Sequence, residues 1–103
     1  MNMRIKKFQE LMKELYFHHD SRRGVEATLN WLKTEINELS RAIKMKDKRN
    51  LMEEFADVFA WLSSLANLVG IDMERACMER YPNRCPKCGK NPCECEFRAS
   101  PDK

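Results

Sequence analysis

Two pairs of acidic residues are the part of this sequence best suited to chemistry. Glu35 and Glu38 form the first pair, and Glu54 and Asp57 form the second. Residues three positions apart on a helix share one face, about 5–6 Å from each other. The pairs are symmetric about Lys46, because the inner acids are eight residues from it and the outer acids eleven. An antiparallel helical hairpin that turns near Lys46 would therefore bring four carboxylates together.

Converging carboxylates repel one another unless they are protonated or neutralised by a cation. Ligation by oxygen alone favours magnesium, with manganese as the other possibility, over iron or zinc. A di-iron site in a helical bundle needs Glu-x-x-His motifs, which this sequence lacks. Ions held by carboxylates bridge phosphate oxygens and lower the pKa of a bound water. The acids thus predict hydrolysis of phosphoric anhydrides, with Glu38, or else Glu35, orienting or deprotonating the attacking water.

A second candidate metal site lies near the end of the sequence. Four cysteines follow one another closely there, in a CxxC motif and then a CxC motif: Cys85, Cys88, Cys93 and Cys95. Four thiolates predict a tetrahedral structural zinc site, closed by one chain or shared between two. The four-residue separation of the two motifs is shorter than in an ordinary zinc ribbon. A redox-active or disulfide-linked tail is the alternative. Cys77 is expected to be a small buried side chain instead.

The elements that must position these groups are all helical. Apolar periodicity predicts four helices, at about residues 4–17, 23–45, 48–69 and 72–81. Residues 18–24 form a polar break in which Asp20 or Ser21 could cap the second helix. We expect His18 and His19 in this break to lie in solvent or at the rim of a substrate site. Gly70 is expected to end the third helix, and everything after the fourth is irregular.

The second and third helices each carry an apolar seam, a stripe of residues at alternating steps of three and four. The seam residues are Val25, Leu29, Leu32, Ile36, Leu39 and Ile43, then Leu51, Phe55, Val58, Leu62, Leu65 and Val69. Each of the four acids directly precedes a seam residue, so the acids should be half-buried at the seam edge. Two such seams are a small core for one chain. We therefore predict a four-helix-bundle-type homodimer, or a dimer of dimers.

Composition and the absence of long apolar stretches indicate which ligands and which cellular location to expect. The chain has 103 residues, and its 19 basic and 16 acidic side chains give a net charge of +3. Such a balance makes nucleic acid an unlikely ligand. No stretch suits a signal peptide or a membrane span, so the cytoplasm is the expected location. The expected division is a helical domain at 1–82, a zinc knuckle at 83–97 and a disordered tail at 98–103.

These motifs resemble those of a known superfamily. Thr34-Glu35 with Glu38, and then Glu54 with Asp57, resemble the two-part signature of the MazG-like all-α nucleoside triphosphate pyrophosphohydrolases. That superfamily also includes dimeric dUTPases and phosphoribosyl-ATP pyrophosphohydrolases. The resemblance covers about residues 11–84. One departure is Thr34, which stands where the first motif usually has another acid. The cysteine tail is not part of the general pattern.

The resemblance implies hydrolysis of an NTP or dNTP to the monophosphate and pyrophosphate at a magnesium site. It implies that the four acids are the metal ligands. Trp61 corresponds to an aromatic residue near the base, although core packing would explain it equally well. The candidates for phosphate contacts after the fourth helix are Arg80, Asn83 and Arg84.

Two other functions stay open on the sequence alone. One is a non-catalytic helical dimer whose zinc knuckle binds protein or nucleic acid. The other is a phosphoribosyl-ATP pyrophosphohydrolase within the same superfamily.

Overall fold

The computed structural model describes residues 3–101, which form four α-helices and no strand. The helices are α1 (Ile5–Arg23), α2 (Val25–Met45), α3 (Lys48–Val69) and α4 (Met73–Arg80). Residues 81–101 are irregular. The all-helical prediction is confirmed. Expectations for the first two residues, and for residues 102 and 103 of the tail, lie outside the described residues.

The hairpin of α2 and α3 is the main packing unit. Its turn is shorter than the charged segment around it, because only Lys46 and Asp47 separate the helices. Lys46 adopts a left-handed conformation with φ of 60°, and its N–H bonds to the carbonyl of Ala42 at 3.1 Å. The Asp47 side chain accepts a hydrogen bond from the N–H of Asn50 at 3.4 Å and so caps α3. The predicted centre of symmetry is thus the actual turn.

The first helix is longer than expected. It continues to Arg23, and Gly24 with φ of 91° is the only break before α2. The expected polar break at 18–24 is therefore wrong, and so is the expectation that Asp20 or Ser21 caps α2. Asp20 lies inside α1, 2% exposed, and its Oδ1 atom is 2.7 Å from Nη1 of Arg23. Arg22 and Arg23 in the last turn favour the helix because cations are stabilised at its C-terminal end.

A buried amide holds α1 to the rest of the chain. Gln9 donates from Nε2 to Oδ1 of Asn67 at 3.0 Å and to the carbonyl of Ile71 at 2.6 Å. Its Oε1 atom accepts from the N–H of Met73 at 2.9 Å. Every polar atom of this buried side chain thus has a partner, which is the condition for burying it at little cost. The network fixes α1 against α3 and the start of α4.

The last two helix boundaries agree with the sequence. Gly70 ends α3 in a left-handed conformation with φ of 74°, and its N–H bonds to the carbonyl of Ala66. Asp72 caps α4 by accepting from the N–H of Arg75 at 3.1 Å. Cys77 on α4 is exposed, so its expected burial is wrong. The reason is that α4 contacts α1 through a small face and leaves its other sides open.

The apolar seams are mostly uncovered. Leu32 is the one buried seam residue, whereas seven seam residues are exposed: Val25, Leu29, Ile36, Ile43, Phe55, Leu62 and Val69. The radius of gyration is 16.0 Å, against about 13 Å for a compact domain of 100 residues. A large share of the apolar surface therefore lies outside the core of the single chain.

Among the described helices, none alone is long and apolar enough to cross a membrane. The pair α3 and α4 passes that test of length and composition only together, across a bend of 96°.

Candidate metal centres

The hairpin brings three of the four predicted acids together. Glu35 on α2 and Glu54 and Asp57 on α3 each offer a carboxylate oxygen, and these atoms all lie within 4.8 Å of one another. Glu35 and Glu54 are half-buried, as expected, whereas Asp57 is exposed. Three carboxylates from two helices form a group that could hold a metal ion.

Glu54 is the member of this acid group whose negative charge is least stabilised. Its Oε1 atom is buried and has no hydrogen-bond partner. Burial raises the pKa of Glu54, and the negative charges of Glu35, Asp57 and Glu38 raise it further. A bound cation would relieve both conditions at once, and the donor set is made of oxygen alone, which suits magnesium or manganese. The residues therefore fit the ion that their chemistry suggested.

Glu38 stands slightly apart from the acid group. Its Oε2 atom lies 2.7 Å from Nη2 of Arg41, one turn along α2, and its side chain is 42% exposed. It remains near enough for its charge to raise the pKa of Glu54. The structure thus separates one acid from the three that share a common point.

A pair of tryptophans adjoins the acid group. The indole N–H of Trp31 donates to Oε2 of Glu35 at 3.2 Å. The Trp31 ring stacks on Trp61 with a centroid distance of 4.7 Å and an angle of 11°. The Arg23 guanidinium lies over both rings, 5.5 Å from the Trp31 centroid and 4.7 Å from that of Trp61. One hydrogen bond thus joins an aromatic platform to a candidate metal ligand.

Beside this platform is a cavity of about 320 Å³, which we call the tryptophan pocket. It is lined by Met12, Tyr16, His19, Asp20, Arg23, Trp31, Asp57, Ala60, Trp61 and Ser64. Asp57 belongs to both the pocket and the acid group, so a molecule in the pocket lies next to the candidate metal site. Trp61 lines the pocket. His19 also lines it, which agrees with one of the two expected positions, the rim of a substrate site.

Sequence reasoning missed most of the other pocket residues, among them Asp20, Arg23 and Trp31. Asp20 and Arg23 were assigned to a break and to the start of the next helix. Trp31 offered one usable signal, since it precedes Glu35 by one helical turn and so shares its face.

The residues proposed for phosphate contacts lie elsewhere in the chain. Arg80 and Arg84 line a shallow hollow with Cys85 and Cys88. Asn83 accepts a hydrogen bond through its carbonyl from Nδ2 of Asn91 at 2.8 Å. None of the three lines the tryptophan pocket. Within one chain they belong to the base of the cysteine tail.

The four tail cysteines converge as predicted. Their sulfurs all lie within 4.8 Å of one another. The distance is 3.7 Å from Cys85 to Cys95 and 3.9 Å from Cys88 to Cys93. A tetrahedral zinc with Zn–S bonds of about 2.3 Å requires sulfur separations of about 3.8 Å. One chain therefore supplies a complete set of four sulfurs with the spacing of a metal tetrahedron.

Backbone amides donate hydrogen bonds to these sulfurs. The N–H of Lys87 donates to Sγ of Cys85 at 3.4 Å, and the N–H of Glu94 donates to Sγ of Cys88 at 3.3 Å. Amides of Cys88 and Lys87 lower the pKa of the Cys85 thiol to about 6. The neighbouring sulfurs of Cys93, Cys85 and Cys88 raise the pKa of Cys95 to about 12. Cys85 thus favours the thiolate, whereas a bound cation would promote the deprotonation of Cys95.

The fold is all-helical, and its central hairpin carries the group of three carboxylates. The family model of the MazG nucleotide pyrophosphohydrolase domain matches residues 23–89, about two thirds of the chain. The chain belongs to this family. No curated protein matches the sequence at a significant level. The matched segment contains the acid group, whereas Asp20 and the second half of the cysteine cluster lie outside it.

Proposed function

We propose that this protein is a magnesium-dependent pyrophosphohydrolase that converts an NTP or dNTP to its monophosphate and pyrophosphate. The acid group carries this proposal, above all the buried and unpartnered Oε1 atom of Glu54. Membership of the family supports the reaction class. The adjoining tryptophan pocket supports a substrate with a flat ring and a polyphosphate, because the two sites share Asp57.

The proposed reaction divides the work among the acids. Glu35, Glu54 and Asp57 would hold the metal, which would neutralise phosphate oxygens and lower the pKa of a water. A water oxygen forms a bond to the attacked phosphorus. The anhydride bond between the α- and β-phosphates breaks, which leaves the monophosphate and pyrophosphate as products. Glu38, outside the group of three, accepts the proton of the attacking water. Glu35 is the second choice for this base, since it already accepts from Trp31 and serves the metal.

We also propose a homodimer formed through the apolar seams. The accessible surface of the chain is 8496 Å², whereas a compact monomer of this mass exposes about 6,100 Å². Exposed seam residues such as Phe55 at 56% and Ile36 at 48% account for part of that excess. Pairing two hairpins would bury them in a bundle. Sedimentation should give twice the chain mass, and Phe55→Glu should give the single mass.

The proposed metal of the tail is zinc, and its proposed role is structural. Four sulfurs from one chain saturate a tetrahedral ion and leave no position open for chemistry. A thiol-rich cluster of this kind suits the reducing cytoplasm, which is our proposed compartment. The ion would hold residues 83–97 in one conformation at the end of α4.

Pyrophosphate release is the measurement that tests the function. The purified protein with magnesium should release pyrophosphate from at least one of the common NTPs and dNTPs, and removal of magnesium should stop the release. Absence of product from every nucleotide would reject the proposal and favour a non-catalytic module that displays the knuckle.

A further inference from the structure

The buried carboxylate of Asp20 is not explained by the metal chemistry. It lines the tryptophan pocket and is 2% exposed. One of its oxygens, Oδ1, is 2.7 Å from Nη1 of Arg23. The other, Oδ2, is buried and has no hydrogen-bond partner. Buried polar atoms are nearly always satisfied, so an orphan acceptor on a pocket wall points to a donor that arrives with a ligand.

The surroundings of Asp20 restrict that ligand. Trp31 and Trp61 present stacked indole rings, which favour a flat aromatic partner such as a nucleobase. Asp57 links the pocket to the acid group, so the phosphates of a nucleotide in the pocket would lie towards Glu35, Glu54 and Asp57. A base that stacks on these rings with its phosphates directed to the acid group would present one edge to Asp20 and Arg23.

Asp20 and Arg23 together present an acceptor beside a donor. An ionised carboxylate only accepts hydrogen bonds, and a guanidinium only donates them. Cytosine and adenine carry an amino donor next to a ring-nitrogen acceptor, which is the complementary order. In uracil and hypoxanthine an oxo group replaces the amino group and the ring nitrogen carries a proton. The same placement then sets a carbonyl against the carboxylate and an N–H against the guanidinium.

We propose that Asp20, oriented by Arg23, selects nucleotides whose base carries a 4-amino or 6-amino group over their oxo counterparts. This inference rests on the proposed function, because it assigns the substrate class of the same site. A pocket built to bond a substrate N–H discriminates strongly against the analogue that lacks it, since its own buried group is then left unpaired. Asp20 is a specificity-determining residue in this scheme and takes no part in the hydrolysis.

Two matched pairs of substrates test the proposal. In each pair, dCTP with dUTP and dATP with dITP, the members differ only by amino against oxo. With magnesium, kcat/KM for pyrophosphate release should be at least tenfold higher for the amino member of whichever pair is accepted. Equal values, or a preference for the oxo member, would overturn the specificity while leaving the hydrolase function intact. No release from any of the four in the presence of magnesium would overturn the specificity, and the hydrolase function would be rejected as well only if the other common NTPs and dNTPs also gave no pyrophosphate.

Binding can be followed without turnover. The chain has two tryptophans, and both line the tryptophan pocket, so its tryptophan fluorescence reports on this pocket alone. With calcium in place of magnesium, dCTP should quench the fluorescence at a concentration at least tenfold lower than dUTP. A common midpoint for the two nucleotides would contradict the proposal.

Asp20→Asn is the informative variant. Its amide can donate as well as accept, so the dCTP-to-dUTP ratio of kcat/KM should fall at least fivefold. Glu14→Gln, an exposed acid-to-amide change on the same helix, is the matched control and should keep the wild-type ratio. An unchanged dCTP-to-dUTP ratio of kcat/KM in a folded Asp20→Asn protein would contradict the role of Asp20 in selecting the base. If that variant fails to fold, the wild-type ratios decide the matter.

Discussion

The two candidate metal centres are built in opposite ways. The cysteine centre comes from one short segment, residues 85–95, and its geometry is set by hydrogen bonds from nearby amides to sulfur. The acid centre joins Glu35 to Glu54, nineteen positions away, and exists only because α2 and α3 pack together. A local site can keep its shape when the rest of the fold loosens, whereas a site between helices cannot. The acid centre is thus expected to respond to everything that moves the hairpin.

Replacing one candidate metal ligand of the acid centre should cause the largest loss of activity. Glu54→Gln removes a charge from the three-carboxylate group, and activity should fall by at least about a hundredfold, since even outer-shell partners of metals are worth 10–100-fold. Glu53→Gln is the control, because Glu53 is the next residue on α3 but is 65% exposed and pairs with Arg49. Steady-state pyrophosphate release measures both. Wild-type rates in Glu54→Gln would exclude it from the metal site.

The cysteine centre should fail separately. Cys88→Ser should reduce bound zinc from one ion per chain to none, while helicity stays and pyrophosphate release changes by no more than a few-fold. Metal analysis and circular dichroism provide the two measurements. Cys77→Ser is the control, since that cysteine is exposed and outside the cluster, and it should retain zinc. Loss of helix in Cys88→Ser would show that the two centres are not independent.

A thiol count gives the same comparison without a variant. Of the five cysteines, only Cys77 should react rapidly in the native zinc-bound protein, and all five after chelation and unfolding.

The link between the pocket and the acid centre can be weakened on its own. Trp31→Phe keeps an aromatic ring against Trp61 but loses the hydrogen bond to Glu35. The magnesium concentration for half-maximal activity should rise about tenfold, the usual size for an outer-shell partner. Trp61→Phe keeps that hydrogen bond and should leave the magnesium requirement near wild type. Equal magnesium curves for all three proteins would mean that the bond to Glu35 has no effect on the metal.

The smallest expected effect is a pH dependence of stability that comes from Glu54 in the acid centre. The pKa of Glu54 is raised above its ordinary 4.5, so the folded protein holds this proton longer than the unfolded chain does. Its contribution to stability is therefore complete below pH 4.5 and is lost as pH rises through the raised pKa. Other acids titrate as well, so the comparison with Glu54→Gln isolates the effect.

In EDTA, the Tm of Glu54→Gln should rise relative to wild type as pH increases from about 4 to 7. Magnesium should cancel this difference by stabilising wild type, since an ion that binds only the folded state adds to its stability. A Tm difference that does not vary with pH in EDTA would contradict the raised pKa.

The sequence anticipated the hairpin well, because its signals are local. Gly70 ends α3 and Asp72 caps α4 as their residue types predict, and the symmetry of the acid pairs places the turn at Lys46. Besides the burial of Cys77, the error was in α1, where a cluster of polar residues resembled a loop. Asp20 is helical and buried because Arg23, one turn later, neutralises it, and that pairing is invisible to a pattern that counts apolar residues.

The sequence by itself determined the number of helices, the acid-bearing hairpin and the group of four cysteines. All three follow from spacing along the chain, which helix periodicity and short loops convert directly into proximity. The tertiary structure alone decided that Glu38 lies apart from the other acids, that Trp31 reaches Glu35, and that Asp20 opens onto a pocket beside them. These relations depend on how three helices pack against one another. No single stretch of sequence contains that information, because each contact joins residues whose distance is set by the packing of whole helices.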